Sequence, residues 1–176
     1  TLGKRTYNFR KGCINIIMSN NRIPWDIYFL KMAFLASERS TCVRRHVGAV
    51  IVSNNQVLAT GYNGACKGVR DCLDLGCLRN LNGISSGEHH EICRAVHAEQ
   101  NAIIQAAVHG TAISGATLYC THSPCVLCAK MIVNANIKRC VFGSMYSEEV
   151  FRDLFNEAKI EYKYIPFEEA GYVHSV

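Results

Sequence analysis

From Pro24 to Ala36 the hydrophobic positions recur at helical spacing, and Pro24 suits the first turn of the helix they predict. Val47 to Val52 is almost wholly apolar and rich in valine, which predicts a buried strand. Asn54-Asn55 then turns the chain into a second strand, Val57 to Tyr62, so the two should form a hairpin. Residues 63–93 break every period. Rich in glycine, cysteine and charge, they are too long for a simple loop and should carry an organisation or a function of their own.

Beyond residue 93 the pattern alternates. Ala98 to His109 reads as an alanine-rich helix closed by Gly110. Thr117 to Thr121 reads as a strand, Cys125 to Ala135 as a helix, Arg139 to Gly143 as a strand, Glu148 to Ala158 as a helix and Glu161 to Ile165 as a last strand. A hairpin followed by helix–strand units implies an α/β fold, a mixed sheet of about five strands covered by helices on both faces. No internal repeat, low-complexity tract or second domain is visible in the sequence.

At 176 residues the chain suits one domain, and no apolar run approaches the length of a membrane span. The net charge of +5 is unevenly placed. Lys4, Arg5, Arg10 and Lys11 fall within residues 1–17, which contain no acid, leaving an excess of only +1 from Met18 onward. A nucleic-acid binder usually concentrates basic charge on one face, so no nucleic-acid partner is expected. Residues 1–17 also make a poor signal peptide, with a short, broken apolar patch and no small-residue cleavage site. They are expected to be a non-native or disordered extension, with Met18 as the natural start and 18–170 as a single domain. Ten cysteines without an export signal suggest metal ligands and buried thiols in a reducing compartment, the cytoplasm by default.

The decisive chemistry lies in His97-Ala98-Glu99 and in Pro124-Cys125-Val126-Leu127-Cys128. One imidazole and two thiolates make three zinc ligands and leave the fourth tetrahedral position open, as catalytic zinc sites do. Glu99 is spaced to sit beside the metal without binding it, where a carboxylate can take a proton from water and deliver it to a leaving amine. H-x-E followed by P-C-x-x-C is a general signature of zinc nucleobase deaminases. A C-x-x-C redox pair with an unrelated core histidine is the alternative, but it leaves Pro124 and the Glu99 spacing unexplained. His97 should begin one helix, and Cys125 and Cys128 lie in the first turn of another, where free N–H groups favour thiolates.

With these residues and Cys42-Val43-Arg44-Arg45-His46-Val47-Gly48-Ala49-Val50-Ile51-Val52, Gly61-Tyr62-Asn63-Gly64 and His97 to Ile103, the chain resembles the deoxycytidylate (dCMP) deaminases of the cytidine deaminase superfamily, the late-competence type among them. The resemblance runs from about Trp25 to Ile165. One departure is Cys66, near where many relatives have a proline. The resemblance implies a three-layer α/β/α cytidine deaminase-like fold and zinc-dependent hydrolysis of dCMP to dUMP and ammonia. His97, Cys125 and Cys128 would hold the zinc and Glu99 would carry protons. The Ala98 backbone N–H would meet the pyrimidine O2, and Asn63 the sugar hydroxyl. The phosphate needs cationic donors. Arg44, Arg45, Lys67, Arg70 and Arg94 are the candidates, with Arg44 favoured, and Tyr146 could close the pocket.

Cys42, Cys72, Cys77, His90 and Cys93, with His89 adjacent, are further potential ligands, and a filled Cys/His tetrad could order the insert with a second, structural zinc. The resemblance favours Cys42, Cys72, His90 and Cys93, with Cys77 in reserve; reduced cysteines in an ordinary loop are the alternative. Cys13, Cys120 and Cys140 carry no expected metal role. The resemblance also implies a homo-oligomer, a hexamer favoured, with dCTP and dTTP as opposing effectors. Two other functions stay open on sequence: deamination of another cytosine or adenine substrate, as a nucleoside or within tRNA, and a non-catalytic zinc-binding interaction module.

Overall fold

The computed structural model describes residues 22–85, 87–146 and 150–168. The expected extension at 1–17, Met18 and Cys13 lie outside the described residues. Helix α1 (Trp25–Ser37) leads into the hairpin of β1 (Gly48–Ser53) and β2 (Gln56–Tyr62). Asn54 and Asn55 both take positive φ, 50° and 60°, as the hairpin turn requires. The insert holds β3 (Gly64–Ala65), α2 (Cys72–Leu75), α3 (Leu78–Leu81) and a short 3-10 turn at His90–Ile92, and β4 (Ala95–Val96) follows it. Then come α4 (Ala98–Val108), β5 (Thr117–Cys120), α5 (Val126–Asn134), β6 (Arg139–Phe142), α6 (Phe151–Glu157) and β7 (Glu161–Tyr164).

The five-stranded sheet has the order β2-β1-β5-β6-β7. β1 is antiparallel to both β2 and β5, whereas β5, β6 and β7 run parallel. β3 and β4 form a separate ribbon, pairing Gly64 with Val96 and Ala65 with Ala95. The apolar run in β1 follows from burial on both faces. Ala49 and Ile51 join Ala98, Ala102, Leu118 and Ile132 on the side covered by α4 and α5. Val50 and Val52 join Phe29, Leu30, Ala33 and Phe34 of α1 on the other. Two glycines let the helices approach this closely: a Cβ at Gly48 would collide with the Ala33 carbonyl, and one at Gly61 with the Ala98 carbonyl and the Ala102 nitrogen. The second contact seats the N-terminus of α4 on the end of β2.

Asp26 fastens α1 to three strands. Its Oδ1 accepts from Arg139 Nη1 (2.7 Å) and from the Tyr119 hydroxyl (3.0 Å), and its Oδ2 from Arg139 Nη2 (2.9 Å) and Lys163 Nζ (3.0 Å). The Arg139 hydrogen bonds hold the carboxyl far below the usual carboxylate range. Burial, with the adjacent Asp26 charge, pushes the Tyr119 phenol up to about 12. A carboxylate depressed in the folded state adds stability above its unfolded pKa of about 4 and loses it as pH falls towards the folded value. Asp26→Asn should therefore cost on the order of 2 kcal/mol at neutral pH, and the deficit should shrink on acidification. Urea unfolding of both proteins at pH 7 and pH 3 checks this; a deficit that grows at low pH would contradict it.

Candidate active site

The functional residues gather where helices begin beyond strand ends, as expected for an open α/β sheet. His97 follows β4 and occupies the N-cap of α4; its backbone N–H donates to Gln100 Oε1 at 3.0 Å. Cys125 is the N-cap of α5, and Cys128 lies in that helix's first turn. These ends bring His97 Nδ1 to 3.5 Å from Cys125 Sγ and 3.3 Å from Cys128 Sγ. The three donor atoms lie within 4.8 Å of one another. Zn–S bonds of about 2.3 Å and Zn–N bonds of about 2.0–2.1 Å, arranged tetrahedrally, place such donors roughly 3.5 Å apart, so the set fits zinc.

The electrostatics set the two thiols apart. A hydrogen bond from Cys128, helped by His97, lowers the Cys125 thiol to about 3 against the effect of burial. The same contact, with burial, raises the Cys128 thiol. Glu99, on the first turn of α4, is only 4 % exposed, and burial pushes its carboxyl up. Cys120 and Cys140 are fully buried strand residues whose thiols burial also raises.

His97, Glu99 and Cys125 form the floor of a cavity of about 380 Å³, also lined by Asn63, Ala98, Tyr146, Arg44, Arg45 and Arg79. Asn63 does more structural work than its motif suggests. Its Oδ1 accepts from Ser40 Oγ (2.6 Å) and Val47 N (2.8 Å), and its Nδ2 donates to Arg45 O (2.8 Å). One Nδ2 hydrogen is left over. Tyr146 donates its backbone N–H to Ser123 Oγ (2.7 Å), and the Arg45 guanidinium lies 4.8 Å from its ring centre. Of the phosphate candidates, Arg44 and Arg45 line the cavity, and Lys67, Arg70 and Arg94 do not.

Cys42 and three cysteines of the insert, Cys72, Cys77 and Cys93, also line this space. Cys42, Cys72 and Cys77 are buried, Cys93 partly so, and Cys72 feels the other three electrostatically. His90 lines the same space, with its ring 4.9 Å from the His97 ring and Nε2 3.4 Å from the Tyr146 hydroxyl. Among the described residues, His97, Cys125 and Cys128 alone form a group of donors as close as 4.8 Å.

Residues 23–144 match the family model described as "Cytidine and deoxycytidylate deaminase zinc-binding region". The chain belongs to this family. As a family member it is 42% identical over 137 residues to the deoxycytidylate deaminase of Saccharomyces cerevisiae, covering 77% of this chain and 43% of that protein. It is 37% identical to ComE operon protein 2 of Bacillus subtilis, covering 84% of this chain and 75% of the relative. Among solved structures, the dCMP deaminase of cyanophage S-TIM5, determined with dCMP and dUMP, superposes with a TM-score of 0.67 at 32% identity, covering 78% of this chain and 94% of that one. The chain spans about two fifths of the length of its fission- and budding-yeast relatives, 39% and 43%. The His97, Cys125 and Cys128 cluster falls inside the zinc-binding region.

Proposed function

We propose that this deaminase converts dCMP and water to dUMP and ammonia. The observation that carries the reading is a buried carboxylate, Glu99, beside three zinc-spaced donors at the floor of a cavity whose wall is cationic. The likeness to the cyanophage enzyme, determined with dCMP and dUMP, supports the choice of substrate.

His97, Cys125 and Cys128 hold the zinc in this reading. What it supplies when bound is Lewis acidity, lowering the pKa of a water molecule towards neutrality. Glu99 accepts the proton which that water gives up as its oxygen adds to C4, and passes a proton to N3. It then moves a further proton to the departing amine, so that ammonia leaves and the C4 carbonyl of dUMP forms. Ala98 lies in the first turn of α4, where backbone N–H groups lack helical partners, and its N–H donates to O2 of the pyrimidine. Asn63 donates its spare Nδ2 hydrogen to the sugar hydroxyl oxygen, Tyr146 closes over the base, and Arg44 meets the phosphate. Ammonia release from dCMP, CMP, deoxycytidine and tRNA tests the reading, with the highest kcat/KM expected for dCMP.

A second zinc belongs to the same reading, held by Cys42, Cys72, His90 and Cys93, with Cys77 in reserve; all five line the same cavity. This zinc would fasten α2 and α3, which are too short to form a core of their own. The reading further includes a cytoplasmic homo-oligomer, a hexamer favoured, with dCTP and dTTP as effectors.

A further inference from the structure

Arg79, on the four-residue helix α3, is only 7 % exposed yet lines the cavity that holds His97, Glu99 and Asn63. A buried guanidinium needs compensation, and this one has little. Its Nη2 donates to Ser85 O at 2.7 Å, and its buried Nε has no acceptor. Among the described residues no carboxylate pairs with it. Arg44 donates Nη1 to Ile84 O at 3.0 Å, so two guanidinium groups grip successive carbonyls of one loop and keep most of their N–H groups unspent. The third arginine of the wall, Arg45, lies over the Tyr146 ring. Against these three cations the cavity lining contains one carboxylate, Glu99, placed at the floor beside the metal donors.

A planar, permanently charged donor with no carboxylate beside it, in a cavity of this size, suits a phosphate oxyanion. We propose that Arg79 binds the 5′-phosphate of the substrate, so that the insert is the element that separates nucleotides from nucleosides. The proposal rests on the reading of the chain as a nucleotide deaminase. Its competitor is structural: Arg79 lies two residues from Cys77 and could balance the thiolates of the insert. The two roles differ in what they perturb. A phosphate ligand changes the discrimination between dCMP and deoxycytidine, whereas a counter-charge to thiolates changes metal content and folding.

The test uses the zinc-loaded full chain with Arg79→Gln and Arg79→Lys. The measured quantity is the ratio of kcat/KM for dCMP to that for deoxycytidine, with zinc content and Tm determined on the same samples. A charge-assisted hydrogen bond predicts that Arg79→Gln lowers the ratio roughly 10- to 100-fold, mainly through KM for dCMP, at unchanged zinc content. Arg79→Lys should recover part of the loss, since it keeps the charge but not the fork. Equal losses on both substrates, or zinc loss at an unaltered ratio, would assign Arg79 to the framework and overturn the proposal. If Arg79→Gln does not fold, Arg79→Lys decides alone, and an unchanged ratio overturns the proposal. A wild-type protein that prefers deoxycytidine to dCMP would instead overturn the dCMP reading itself.

Discussion

Glu99→Gln is expected to keep its zinc and its fold and to lose nearly all turnover. Glutamine has the shape of glutamate, and the site is nearly closed, with Glu99 at 4 % exposure, so packing should survive. What disappears is the capacity to exchange protons. General acid–base roles are worth roughly 10²–10⁴-fold, and Glu99 is asked to act more than once: at water, at N3 and at the leaving amine. Losses at the top of that range, or beyond it, are therefore expected in kcat on dCMP. The measurement pairs kcat with zinc content and Tm. A variant retaining more than a tenth of the wild-type kcat would show that Glu99 is not the proton carrier.

Cys128→Ser should act on the metal first. Cys128 is fully buried, and its Sγ lies 3.3 Å from His97 Nδ1, so its loss leaves a two-donor site. Elemental analysis should find about two zinc ions per wild-type chain on the two-site reading, and about one in Cys128→Ser, with activity gone. Cys72→Ser should also remove one zinc, but from the insert. It should lower Tm and loosen residues 63–93 while leaving the His97 site filled. Unchanged zinc content in Cys128→Ser would contradict the catalytic assignment, and one zinc in the wild type would remove the second site.

Much of the framework is visible in the sequence because its signals are local. The Asn54-Asn55 turn predicts the hairpin, and the two positive φ values are what such a turn needs. The apolar run at Val47 to Val52 indicates a strand with no exposed face, and helices cover both sides of β1. His97, Cys125 and Cys128 are readable for the same reason, since each sits at or just inside a helix start that the sequence marks. The insert obeys different physics. Its helices, Cys72–Leu75 and Leu78–Leu81, are too short to establish a period, and the β3–β4 ribbon pairs residues that are distant in sequence, Gly64 with Val96. Arg79 carries no local signal beyond its position between insert cysteines, because its place in the cavity wall depends on how the insert folds back beside His97 and Asn63.

The most direct measurement is turnover of dCMP by the purified, zinc-replete chain, following ammonia and dUMP together, with CMP, deoxycytidine and tRNA as competitors. The account predicts equal amounts of ammonia and dUMP and the highest kcat/KM for dCMP. Protein carrying its full zinc complement that releases no ammonia from dCMP, or that deaminates tRNA in preference, would contradict it.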